Sequence, residues 1–191
     1  MLDSFCENLA KVAIHYSIEV KKGDRIVIMG PSLAKDLFLT LQTEILKAGG
    51  HPISIPELEG EQEIFYRYAS DEQLGYFDDL YLKMAKELDG LIQIFADYNT
   101  KKLGVIDSEK IGKVQGAAKR FEMRKIISER ELKGEINWVV IPYPCQSFAQ
   151  EAEMDLYSYS DFVEKALLLD KENPVEEWIK IQKTQEHLVD Y

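Results

Sequence analysis

Arg25-Ile26-Val27-Ile28-Met29, followed at once by Gly30-Pro31-Ser32, decides the class of fold. The five residues have no helical period and are rich in β-branched side chains, the mark of a strand buried on both faces. Gly30-Pro31-Ser32 reads as the end of that strand. Leu33, Leu37, Leu41 and Ile45 then recur at helical spacing until Ala48-Gly49-Gly50 stops the helix. A short strand over 52–55 follows. Strand, helix and strand in close succession form a unit whose strands lie parallel, because the crossover helix carries the chain back to its starting edge.

The same alternation extends outward. Leu2, Phe5, Leu9, Val12 and Tyr16 mark an amphipathic helix, with Ser4 and Glu7 spaced as a capping box. Lys21-Lys22-Gly23-Asp24 is the turn before the strand. Downstream, Ser70-Asp71-Glu72-Gln73 is a second capping box, opening a helix that keeps Phe77, Leu80, Met84 and Leu88 on one side up to Asp89-Gly90. A strand over 91–96, a polar connection through Asn99 and Lys102, a long helix carrying Ile111, Val114, Ala118 and Phe121, and a strand over 138–141 complete the pattern. It predicts a three-layer Rossmann-like α/β domain: a mainly parallel sheet of about four or five strands with helices on both faces.

Pro142-Tyr143-Pro144 cannot continue a central ladder, and everything beyond it reads as helix. Ser147 with Gln150 marks one start, and Phe162, Ala166 and Leu169 mark a face. Asn173-Pro174-Val175-Glu176 supplies cap, first-turn proline and third-position glutamate for the last helix. That helix carries Trp178, Ile181 and Leu188 and is read as still running at Tyr191, its stripe facing a surface elsewhere in a longer protein.

Composition excludes several classes. With 191 residues, 46% hydrophobic and 30% charged, the chain can bury a single core. Its 23 basic against 34 acidic residues, a net charge of −11, argue against nucleic acid, whose phosphates need a basic face. No apolar run is long enough to span a membrane, and the opening MLDSFCENLAK is not a signal peptide, so a cytoplasmic protein is expected. Cys6 and Cys145 are too few for a disulfide framework and read as small buried hydrophobes.

The residues themselves offer little chemistry. His15, His51 and His187 stand alone, without the second histidine one helical turn away that a metal-binding helix needs. The turn at Gly30-Pro31-Ser32-Leu33-Ala34-Lys35 has one glycine where a dinucleotide site has three, and proline removes an amide. Ser32 there is read as a helix cap before an anion site. The motifs GxxxxGK[ST] and GxSxG are absent, and Cys145 has no histidine nearby in sequence. The acidic runs 57–63 and 151–155 read as solvated surface, with a cation-attracting rim as the lesser reading.

Three segments carry a family resemblance. Val20-Lys21-Lys22-Gly23-Asp24-Arg25-Ile26-Val27-Ile28 resembles the opening V-x-x-G-x-x-V-x-I of the thermophilic-type metallo-aminopeptidases, the leucyl aminopeptidase T and aminopeptidase S-like family. Trp138 to Pro144, followed by Phe148-Ala149-Gln150 and Asp161-Phe162, resembles its W-x-x-x-x-x-P and A-x-A-Q block. Asn173 to Trp178 is similar to its next segment. Cys145 and Phe148 depart from the threonine and tryptophan usual there.

The resemblance implies an exopeptidase that uses two divalent ions, zinc or cobalt, to activate a bridging water. The family's ligands lie in a C-terminal domain, so residues 1–191 are expected to be the N-terminal domain of a longer enzyme, with no catalytic or metal residue of their own and inactive alone. Implied partners are a peptide substrate, that C-terminal domain and a second copy in a homodimer. Gly30, Ser32, Pro142, Pro144 and Gln150, at the strand ends, are expected to face the substrate chamber or the domain interface, and Trp178, Ile181 and Leu188 to form an interdomain helix. The contrasting reading is a self-contained Rossmann-like module that binds a nucleotide or anion without chemistry.

Overall fold

The computed structural model describes residues 2–189, and the side chains of 4–188. The side chain of Leu2 and the reading of the last helix at Tyr191 lie outside the described residues.

The chain runs α1 (Leu2–Val12), a π-helical turn (Ala13–Ser17), β1 (Arg25–Pro31), a 3₁₀ turn (Ser32–Ala34), α2 (Lys35–Ala48), β2 (His51–Glu57), α3 (Glu61–Tyr68), α4 (Asp71–Gly75), α5 (Asp79–Glu87), β3 (Gly90–Phe95), α6 (Ser108–Gln115), α7 (Ala118–Leu132), β4 (Asn137–Pro142), α8 (Gln146–Glu151), α9 (Leu156–Ala166) and α10 (Pro174–Val189). The sheet has four strands in the order β2-β1-β3-β4, and every pairing is parallel. The three-layer Rossmann-like α/β architecture with C-terminal helices is therefore as the sequence pattern predicts.

Alternation along the strands sorts the layers. On one face Ile26 and Ile28 of β1, Ile92 and Ile94 of β3 and Ile141 of β4 meet α1, the π-helical turn and α2, with Leu37, Leu41 and Ile45 wholly buried. Each such side chain contributes about 1.5–3 kcal/mol relative to exposure. α10 lies over this layer through Trp178. On the other face Val27 and Leu91 meet Leu88 and Met84 of the α5 segment. α7 packs on α5, where Met123 and Ile126 approach Leu82 and Phe77. Arg130 of α7 donates two hydrogen bonds to the end of α5, to the carbonyls of Ala85 (2.9 Å) and Leu88 (2.7 Å), which the helix itself leaves unpaired. Gly49 ends α2 at φ 86, its amide donating to the carbonyls of Ile45 and Leu46, a left-handed cap that favours glycine.

Local detail corrects the sequence reading in several places. α1 already includes Leu2, so Ser4 lies within its first turn and no capping box starts there. β1 continues through Gly30 and Pro31, whose register partner is Glu57 at the end of β2. β4 likewise includes Pro142, tolerated because β4 is an edge strand. The helix expected over 70–88 is two helices: Ser70 forms its capping box with Gln73, and Asp78 caps a new helix at the amide of Leu80. Leu80 is consequently exposed, and Leu82 and Ala85 face inward. The long helix carrying Ile111 and Phe121 is α6 and α7, and Phe121 is exposed while Met123 and Ile126 pack. α8 is capped at Cys145, which leaves Ser147 inside the helix. Phe162 is exposed, and Val163 is the buried residue of α9. The cap at Asn173 is as expected, its side chain accepting from the Glu176 amide.

Candidate functional site

β1 is central because its first crossover leads to β2 on one side and the return leads to β3 on the other. The carboxyl ends of β1 and β3 are thus a topological switch point, where adjacent loops diverge and leave a crevice. Three hollows meet there, and Tyr98, three residues past β3, borders all of them.

The largest, about 540 Å³, is lined by Leu33 after β1, Asp97 and Tyr98 after β3, and residues 143–147 after β4. Phe5 of α1 and Leu156, Tyr157, Ser160 and Glu164 of α9 close it. Its volume lies within the range of about 300–1,000 Å³ usual for ligand pockets. Ser147, the buried polar residue of this wall, donates to the Asp97 carbonyl at 2.5 Å and lies 3.5 Å from the Cys145 sulfur. These contacts tie the first turn of α8 to the loop after β3. Tyr143 is only 7% exposed, and burial, with Cys6, Asp36 and Cys145 nearby, pushes its phenol up to about 12.

The second hollow is a narrow crevice of about 20 Å³ between Ser32 and the carboxylates of Glu57, Glu59 and Glu63. Glu63 Oε2 and the Tyr98 hydroxyl are buried without a hydrogen-bond partner. Lys102 on its wall pairs with Asp97 at 2.9 Å and lies 5.4 Å from the centre of the Tyr98 ring. The third, about 430 Å³, holds Gln150 and Glu151 opposite residues 98–101. The Thr100 hydroxyl, at 2.8 Å, and Lys101 hold the Glu151 carboxyl below its usual range.

Of the expected chamber residues, Pro144, Ser32 and Gln150 line these three hollows in turn. Pro142 is the last residue of β4, and Gly30 is packed against Ile94. Neither is among the residues bordering the hollows. Ser32 opens a three-residue 3₁₀ turn and does not cap α2, whose cap is Ala34. It lines the second hollow together with Glu57, Glu59, Glu63 and Lys102. Trp178 is half-buried, donating from its indole to the Leu167 carbonyl at 2.9 Å and stacking on Tyr16 at 5.9 Å. Ile181 is half-buried and Leu188 is 72% exposed.

Sequence reasoning missed Leu33, Tyr98 and the α9 wall. The available signal was Leu156, Ser160 and Glu164 at four-residue intervals, one face of a helix. Among the described residues no three histidine, cysteine or carboxylate side chains are grouped to hold a metal ion. The two ions that the resemblance implies therefore do not fit the residues described. His15 pairs with Glu44 at 3.1 Å, and His51 and His187 are exposed. Both cysteines are buried, as the sequence reading expects of small hydrophobes. No helix among the described residues is long and apolar enough to cross a membrane.

The comparisons agree with this architecture. The structure of wild-type AmpT from Thermus thermophilus superimposes with a TM-score of 0.71 at 20% identity, a likeness of fold, over 87% of this chain and 43% of that one. The chain thus spans less than half the length of that relative. No curated protein matches. The model of one family, described as thermophilic metalloprotease (M29), matches residues 3–191, and the chain belongs to that family.

Proposed function

We propose that this chain is the N-terminal α/β part of a metal-dependent aminopeptidase, and that its switch-point crevice walls one side of the chamber where a peptide's first residue is hydrolysed. The observation that carries this reading is the family match across residues 3–191. A solved structure with the same fold and more than twice the length leaves ample chain for a metal-bearing domain beyond this one. In that arrangement residues outside 1–191 would hold two divalent ions, zinc or cobalt, which would supply an acidified water and Lewis acidity. This chain contributes shape, exclusion of water and contacts to the rest of the peptide. The half-buried stripe of Trp178 and Ile181, continuing to exposed Leu188, suits an interdomain contact, and the intact enzyme works as a cytoplasmic homodimer.

Residues 1–191 alone should then be inert. The test is release of p-nitroaniline from leucyl p-nitroanilide with added zinc or cobalt, using protein freed of host peptidases. Absence of turnover in 1–191, with turnover in the product of the whole gene, is the expected pair of results. Cleavage by 1–191 alone would overturn the division of labour. An inactive whole product would overturn the assignment.

A further inference from the structure

The largest hollow at the switch point has a wall poor in charge. Residues 136–150, which span β4, the short loop after it and most of α8, contain no Asp, Glu, Lys or Arg in a chain that is 30% charged. The pocket's charged wall groups are Asp97 and Glu164, and no lysine or arginine lines it among the described residues. Asp97 is already paired with Lys102 in the neighbouring crevice. Glu164, half-buried on the α9 wall, makes no ion pair among the described residues, so nothing offsets its carboxylate there. Ser160 is the small residue on the α9 stripe between Leu156 and Glu164, and its hydroxyl is turned back onto the Leu156 carbonyl at 2.7 Å. The middle of that wall therefore offers space and apolar surface.

Resting on the peptidase reading for the class of ligand, we infer that this pocket seats an apolar residue of a neutral or basic peptide and turns acidic peptides away. Burial of a leucine-like side chain supplies the attraction, and desolvating a ligand carboxylate beside Glu164 supplies the discrimination.

The test is binding and needs no turnover. N-acetyl-leucyl-leucinamide and N-acetyl-glutamyl-glutamamide are titrated into the 191-residue chain while the methyl resonances of Leu156 and Leu33 are followed by NMR. The leucyl probe should give saturable shifts and bind at least tenfold more tightly than the glutamyl probe. Ser160→Trp, which fills the pocket, should abolish saturation, and the gentler Ser160→Leu should weaken it at least threefold if the tryptophan does not fold. Glu164→Gln should leave the leucyl probe unchanged and tighten the glutamyl probe at least threefold. Equal binding of the two probes, no saturable shift, or indifference to the Ser160 replacements would each overturn the inference. Capture of the leucyl probe by a protein whose whole gene product hydrolyses nothing would sink the peptidase reading and leave the pocket standing. An active enzyme without that capture would do the reverse.

Discussion

Gly30 of β1 and Ile94 of β3 meet so closely that a Cβ on the glycine would fall 2.7 Å from the Ile94 Cβ and 2.8 Å from the Ile94 carbonyl oxygen. The obstacle includes backbone of a central strand, which cannot swing aside. Gly30 also has φ +151, a conformation L side chains rarely adopt. Gly30, expected from sequence at a strand end facing the chamber, lets β1 and β3 converge beneath the crevice.

Gly30→Ala should destabilise the chain by about 2–4 kcal/mol, from overpacking and backbone strain together. The measurement is the urea midpoint, with the slope unchanged. A loss below about 0.5 kcal/mol would mean that the contact relaxes freely.

Tyr143 gives the fold an alkaline limit. Its phenol, raised by burial to about 12, keeps its proton in the folded chain after an unfolded tyrosine, near 10, has lost it. Its contribution is complete below about pH 10 and is lost as pH rises towards 12, by about 2–3 kcal/mol in all. Ultraviolet titration of the tyrosinate band should show a late step among the ten tyrosines, and Tyr143→Phe should remove its last part, since Tyr76 and Tyr159 are also raised.

Trp178 fastens α10 to the loop after α9 through the Leu167 carbonyl and to the π-helical turn through Tyr16. Trp178→Phe retains a ring and deletes the hydrogen bond, so a loss of about 1 kcal/mol is expected. Trp178→Ala should lose about 2–3 kcal/mol because the packing goes as well. Amide exchange over 174–189 should quicken in the same order, while β1 and β3 stay protected.

What the sequence conveyed well was whatever depends on periodicity and termini. The parallel sheet followed from the β-branched run at 25–29 and its helical successor, and the caps at Ser70 and Asn173 are where their side-chain chemistry put them. The breaks at residues 76–78 and 116–117 were hidden because apolar spacing continues across them, so Phe77 and Leu80 look like one face although they belong to different segments. α3 was missed because only Tyr66 of it is buried and its first turn falls in the acidic run 57–63, which read as solvated surface. The candidate site was legible only in part. Pro144, Ser32 and Gln150 follow from the rule that strand ends face ligands, but Phe5, Tyr98 and Glu164 are brought to one pocket by topology, and no local pattern links positions so far apart.

The same dispersion fixes when the pocket comes into being on the ribosome. β1 and β2 can pair early in synthesis, yet the wall supplied by α9 emerges only after Glu164 has cleared the exit tunnel. Until then the uncharged segment 136–150 and the side chains of Trp138 and Val140, still 47% and 49% exposed in the finished edge strand, are open to any neighbouring chain. The price of a cavity gathered from α1 and α9 is a nascent interval in which the stretch between them lacks its last wall.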